Sequence, residues 1–441
     1  MYKVNLRELV KRIPFARKFG KKLRQKVHGF QYVTYPKLAP FLHERALKKV
    51  KRQETPVKVV FMVIHESVWK LDRLYWLMEA SKEFKPIVLI CPYVMQGEEV
   101  KRRDMKKAFD WFEKRGYNVK SSIVNGRLLN IKAEMKPDLV FFTNPHDLTE
   151  TQFLAKSFVN VLTAYVPYGH QVTKYMNYYA QYNQLSHNTM WKIFTINQLD
   201  KNISTEYANN KGRNVEITGY AGIDKLIDTS YTAKNVWKPQ IVRKRKIIWA
   251  PHHTIEIDSP LKYSTFLDTA DYMKSLSTDY SDVLQFSFKP HPLLKDKLYA
   301  HEEWGLERTN EFFNFWDTSV NTQLDLADYI DLFLTSDAII HDSGSFLAEY
   351  LYVNKPALFM IADDSIEERF SPLGTDAFNA CSHGRSCEDI RRFIESEVLE
   401  NKDSKKDIRE SFVESCLPSN GAIPSDLIFT YLLKQLKPNS V

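Results

Sequence analysis

The chain has 441 residues, 44% hydrophobic and 13% aromatic, with only 14 Gly and 19 Pro; this excludes intrinsic disorder and fibrous repeats and suffices for two domains of about 200 residues each. No run of about 18 apolar residues occurs, which argues against an ordinary membrane-spanning helix, and the basic N-terminus lacks the apolar stretch of a signal peptide, so a cytoplasmic chain is expected. The net charge of +8 hides an asymmetry: residues 1–53 hold 16 Lys or Arg against Glu8 and Glu44, a balance of +14, and the rest of the chain stands at −6.

Residues 1–55 are the first predicted unit. Leu6, Leu9, Val10 and Ile13 recur at helical spacing, with Arg7, Lys11, Arg12, Arg17, Lys18, Lys21, Lys22, Arg24 and Lys26 around and after them. This pattern predicts a basic amphipathic helix lying on an anionic membrane surface. A solvated basic arm, or an arm for nucleic acid, would carry the same charges.

From residue 56 short apolar runs alternate with amphipathic stretches, as parallel βαβ units do. Strands are expected at 57–64, 86–91, 138–143, 161–166 and 192–196, with crossover helices such as 71–85 and 101–115. A charged, Pro-containing stretch at 234–246 reads as an interdomain linker. Strand signals resume at 247–250, 283–288, 331–335, 338–341 and 357–361, and an apolar segment at 423–433 is expected to pack back across the two halves. The economical fold class is α/β, two Rossmann-like domains (56–235 and 236–441) facing a cleft behind a basic helical extension. Neither a Gly-x-Gly-x-x-Gly fingerprint nor a Walker loop is present, so hydride transfer and P-loop hydrolysis lose their markers. The cysteines, Cys91, Cys381, Cys387 and Cys416, lack metal-ligand spacing and are assigned no role.

Three polar clusters follow predicted strands, where open α/β sheets bind ligands. The first is Tyr168-Gly169-His170-Gln171 with Lys174; if a helix starts there, His170 and Lys174 share a face, the imidazole as a general base and the ammonium on a phosphate. A histidine capping a loop would look the same. In the second, Lys289-Pro290-His291-Pro292, two prolines hold the chain extended, Lys289 counters phosphate charge and His291 donates to a phosphate oxygen. A surface connector is the plainer alternative. The third runs from Ser336 through Asp342, Ser343, Gly344 and Ser345 to Glu349: a strand, a small polar turn and a helix, which aims amides and hydroxyls at a diphosphate and leaves Glu349 for sugar or polyol hydroxyls. An Asp/Ser helix cap without a ligand has the same composition.

Together the clusters resemble the CDP-glycerol glycerophosphotransferase family, which builds teichoic acids and related phosphopolyol polymers of bacterial envelopes. Ala250-Pro251 is similar to that family's Ala-Pro after a strand, Lys289 to Pro292 to its Lys/Arg-x-His-Pro, and Ser336-Asp337 with Asp342 to Glu349 to its Ser-Asp and Asp-Tyr-Ser-Ser-x-x-x-Asp. The resemblance implies a glycosyltransferase-B architecture with an acceptor-side first domain and a CDP-donor-binding second domain, no metal or other cofactor, and a CDP-polyol as co-substrate. It also implies histidines from both domains at the CDP-linked phosphate, here His170 and His291. Where the family often has Trp-Arg-Asp, this chain has His252-His253-Thr254; adjacent residues of an extended chain point apart, so one of the pair, His252, is expected at the donor. The expected protein is a peripheral transferase on the cytoplasmic face of the membrane that moves glycerol phosphate or ribitol phosphate from the CDP donor to a lipid-linked or polymer acceptor hydroxyl. His170 would be the base, Lys289 and His291 would stabilise phosphate charge, and Ser336, Asp342, Ser343, Gly344, Ser345, Glu349 and His252 would hold the donor, with Lys174 at the phosphate or acceptor. A glycosyltransferase using a nucleotide sugar for surface polysaccharide is the alternative, and nucleic acid is not an expected partner.

Overall fold

The computed structural model describes residues 14–174, 176–256, 262–326, 328–418 and 421–440, with the side chains of residues 32–439. Short apolar runs joined by long amphipathic connections can pair only in parallel, and two parallel sheets result. The first holds β1 (Val57–Val63), β2 (Phe84–Ile90), β3 (Val119–Ser121), β4 (Leu139–Phe142), β5 (Leu162–Tyr165), β6 (Lys192–Thr195) and β7 (Val215–Ile217), in the order β3-β2-β1-β4-β5-β6-β7. The second holds β8 (Arg245–Ala250), β9 (Leu284–Phe288), β10 (Thr322–Leu324), β11 (Ala338–His341), β12 (Ala357–Met360) and β13 (Ser382–Gly384), in the order β10-β9-β8-β11-β12-β13. Each sheet starts in its middle, grows one way and then the other, so its order reverses beside its first strand, between β1 and β4 and between β8 and β11. Crevices for ligands open at the carboxyl ends of such strand pairs.

One predicted strand is a helix: 331–335 lies within Ile330–Thr335, with Leu332 and Phe333 buried. A five-residue apolar run has no period that separates the two conformations. The segment 228–244 contains neither helix nor strand. Its Trp237 is nevertheless buried, and the indole N–H donates to Thr335 Oγ1 at 3.0 Å.

Helix α1 (Pro14–Arg52) carries the basic arm. Ala39, His43 and Val50 turn inward, and Val50 joins the core around β1. The outer side exposes Val33, Leu38 and Phe41 among Lys37, Arg45 and Lys48. The predicted stripe of Leu6, Leu9, Val10 and Ile13 lies outside the described residues. No helix among the described residues is long and apolar enough to cross a membrane. Two further helices, α2 (Asp72–Ala80) and α3 (Glu98–Lys114), cover the first sheet. The segment expected to return does so: Ile428, Leu432 and Leu436 of the helix Pro424–Leu436 are buried in the core of the first sheet, beside α2.

Burial alone pulls His43 down to about 4 from its ordinary 6.5, and its Nε2 has no hydrogen-bond partner. A depressed base holds fewer protons folded than unfolded, so its contribution to stability is complete above pH 6.5 and is lost as pH falls toward 4. His43→Leu, which removes that linkage, is expected to gain on the wild type as the pH drops from 7.5 to 5. Thermal melts at both pH values check this; a melting-temperature gap that does not change with pH contradicts it.

Candidate active site

At the second switch point three strands deliver their following loops to one place. Lys289 N–H donates to Trp249 O (2.8 Å) and His291 N–H to Pro251 O (3.1 Å), which lays the loop after β9 along the loop after β8. His291 thereby meets both members of the histidine pair, with ring centroids 5.2 Å from His252 and 4.1 Å from His253. The ligating nitrogens of the three lie within 4.8 Å of one another. The expectation that the two rings of the pair point apart is corrected here. Residues 252–254 bend instead of continuing the strand, Ile255 N–H returns to His253 O (3.0 Å), and the two rings lie 4.3 Å apart.

Burial is the first cause, and the neighbouring imidazoles and the Lys297 charge the next, that push His252 down to about 2 and His291 to about 3; His253 is lowered for similar reasons. All three are therefore neutral near pH 7, and the tautomers of His291 and His252 follow from their partners. Leu293 N–H donates to His291 Nδ1 at 3.2 Å, so the proton of that ring sits on Nε2. Thr254 Oγ1 accepts from Tyr263 N–H (3.0 Å) and Ser264 N–H (3.2 Å), leaving its own proton for His252 Nδ1 (3.0 Å). His252 likewise carries its proton on Nε2. Two N–H donors beside Lys297 suit an oxyanion. A metal would need the lone pairs those protons occupy.

The other expected residues divide. Ser343 is buried and Ser345 exposed at the start of α4 (Gly344–Glu349), against Tyr263; a Cβ on Gly344 would touch the Tyr263 hydroxyl at 3.4 Å. That hydroxyl is buried without a partner. Asp342 was expected on the donor, but its carboxylate accepts from His252 N–H (2.5 Å), Thr265 N–H (2.6 Å) and Thr265 Oγ1 (2.9 Å). Burial outweighs these donors and raises it to about 6, and its work is to position the His252 loop. Lys289 points away, into a buried pair with Asp325 at 3.2 Å; the cation whose charge reaches the imidazoles is Lys297, itself paired with Glu256 at 2.5 Å on the more exposed side. Ser336 precedes β11 while ligands sit beyond its far end, and its hydroxyl caps the helix before it through Phe333 O (2.9 Å) and meets the Tyr350 hydroxyl (2.8 Å).

His170 and Glu349 meet where the two sheets face each other. His170 Nε2 shares a hydrogen bond with the Tyr352 hydroxyl (3.0 Å), its ring packs edge-on against Tyr220 (4.6 Å), and Nδ1 is buried without a partner. The Tyr220 hydroxyl continues to Glu349 Oε1 (3.3 Å), Tyr329 donates to the other oxygen, and Lys70 donates to the Tyr329 hydroxyl (2.6 Å). Both oxygens of Glu349 are thus taken by tyrosines, and the acid expected to bind polyol hydroxyls braces the seam instead. Burial, then the Lys70 charge, lowers His170 to about 3. Lys70, Tyr220, Tyr329 and Tyr352 carry no local sequence signal, since tyrosine is abundant throughout the chain.

The expected helix after His170 is absent. Residues 171–174 run extended along the second half: Thr173 bridges Phe370, Ser371 N–H donates to Val172 O (2.9 Å), Ser371 Oγ to Gln171 O (2.7 Å) and Lys174 N–H to Arg369 O (3.0 Å). His170 and Lys174 share no helical face, and the Lys174 side chain is exposed.

Residues 166–421 match the family described as CDP-Glycerol:Poly(glycerophosphate) glycerophosphotransferase. Among solved structures, the wall teichoic acid polymerase TagF superposes with a TM-score of 0.60 at 14% identity, over 96% of this chain and 98% of that one. The UDP-GlcNAc 2-epimerase from Neisseria meningitidis bound to UDP-GlcNAc gives 0.51 at 14% identity, over 86% and 100%. The S. aureus MnaA–UDP complex gives 0.53 at 13%, over 86% and 97%. These likenesses show the fold: two Rossmann-like halves in the glycosyltransferase-B arrangement. No protein of curated function matches the chain.

Proposed function

Because the chain belongs to the CDP-glycerol:poly(glycerophosphate) glycerophosphotransferase family, we propose that it moves glycerol phosphate or ribitol phosphate from a CDP-linked donor to a hydroxyl of a lipid-linked or polymer acceptor in cell-envelope polymer synthesis. The carrying observation is the imidazole cluster: two Nε2–H donors and the unpartnered Tyr263 hydroxyl lie beside the Ser343–Ser345 turn, with Lys297, paired to Glu256 at 2.5 Å, close enough to act on the rings, a set of donors that fits a diphosphate. The half built on the second sheet holds the donor, and the half built on the first holds the acceptor. The acceptor oxygen bonds to the distal phosphorus, the bridging P–O bond breaks, and CMP leaves with the electron pair. The hydroxyl proton passes to His170 Nδ1. That nitrogen is closed to solvent here, so this route requires the 170–174 segment to open as the acceptor enters.

The outer face of α1, apolar side chains among bases, fits attachment to an anionic leaflet from its cytoplasmic face. One assay tests the whole reading: CDP-glycerol, CDP-ribitol and nucleotide sugars are each offered with acceptor in anionic vesicles, and the released nucleotide is identified. CMP release that weakens with salt is expected, unchanged by EDTA. Release of a nucleoside diphosphate would make the protein a glycosyltransferase, and an absolute need for Zn²⁺ would recast the imidazoles as ligands.

A further inference from the structure

The first sheet has its own switch point, and it is hollow. A cavity of about 220 Å³ lies beyond the carboxyl ends of β1 and β4, between Ile64 and the 144–149 loop. Tyr32 of α1 and Tyr179 close its roof, their hydroxyls 3.0 Å apart. The same stretch of chain that carries His170 supplies Tyr179 and Gln184, and β5, which leads to His170, neighbours β4.

The lining says what would fit. Its charged side chains, Asp147 and Lys156, pair with each other at 3.3 Å. Gln184 donates its amide to His146 Nδ1 (2.8 Å), which leaves His146 a proton on Nε2 to offer. Asn144 Oδ1 takes His146 N–H (2.8 Å), which leaves its amide hydrogens, and Thr149 Oγ1 is buried with no partner. Neutral donors and acceptors among aromatic rings recognise a polyhydroxylated, uncharged unit, whereas the N–H-rich second switch point beside Lys297 suits phosphate. The volume, below the roughly 300–1,000 Å³ of sites for drug-sized ligands, suits a single unit.

We propose that this cavity binds the sugar or polyol headgroup of the acceptor, with α1 serving as its roof. The inference rests on the transferase reading above. Tyr179 is 39% exposed, so Tyr179→Ala threatens the fold little. It is expected to raise the KM for acceptor about tenfold, the equivalent of about 1.4 kcal/mol, with the KM for the CDP donor within about twofold. The nearly isosteric Thr149→Val is expected to raise the acceptor KM as well. An acceptor KM unchanged in both variants overturns the proposal. Saturation-transfer NMR with free glycerol, ribitol, glucose and N-acetylglucosamine separates this failure from that of the transferase reading, because it needs no turnover. If no CDP-polyol is consumed by the wild type, the transferase reading fails and the NMR decides the pocket alone: signals lost in Tyr179→Ala support it, and no signal from any of the four removes it.

Discussion

Replacing His170 by alanine is expected to lower turnover by about 10²–10⁴-fold while the KM for the CDP donor stays within about twofold, because proton removal matters only as the acceptor attacks. His291→Ala is expected to behave differently. Its Nε2–H faces the proposed diphosphate, so donor KM should rise and kcat fall together. Near wild-type rates in both variants would sink the mechanism, and an early melt of His170→Ala with turnover kept would make the ring a packing element between Tyr220 and Tyr352. The pH profile adds a signed test. In the free enzyme burial holds His170 near 3, so kcat/KM should not fall on the acid side until far below the ordinary histidine range. Bound diphosphate would favour the imidazolium and lift that value, placing the acid limb of kcat at higher pH than that of kcat/KM. An acid limb in kcat/KM near 6.5 would exclude His170 as the base.

The second large effect is expected far from any proton. Gly374 lies in the helix Pro372–Asn379, where a Cβ would stand 1.9 Å from Val172 O. Gly374→Ala must therefore push the backbones apart by about 1 Å, along the seam that sews the His170 segment to the second half. Overpacking of this kind costs about 1–3 kcal/mol, and a displacement of about 1 Å at a reacting group can cost about a hundredfold in rate. The variant is expected to melt several degrees early and to lose about two orders of magnitude in kcat. Gly97→Ala, where nothing lies within 4 Å, is the control: as the N-cap of α3 it costs some helix stability, but kcat should not change. Unchanged kcat in Gly374→Ala would mean that the seam does not set the position of His170.

Both results bear on what could be read from the chain as written. The strands in the middle of each sheet, β1, β2, β4, β5 and β6 in the first and β8, β9, β11 and β12 in the second, are legible because a strand covered on both faces is a near-continuous apolar run. The four that escaped, Val119–Ser121, Val215–Ile217, Thr322–Leu324 and Ser382–Gly384, are the edges of the two sheets. Each has three residues and one pairing neighbour, too short for a period to show.

The site divides along the same physical line. By itself the sequence determined where the candidate loops sit, because polar residues directly after an apolar run sit at the carboxyl edge of a sheet, and His170, His252, His291 and the Ser343–Ser345 turn all follow such runs. Only the tertiary structure decided what those loops do to one another. Asp342 and Glu349 read as ligand contacts in one dimension, but they are spent on a backbone loop and on two tyrosines. Lys289 is spent on Asp325. The contacts responsible join residues 129 positions apart (Tyr220 and Glu349) and 182 apart (His170 and Tyr352). A hydrogen bond across such a separation leaves no periodicity in the chain; it exists once two sheets, each specified locally by its own apolar runs, are brought face to face.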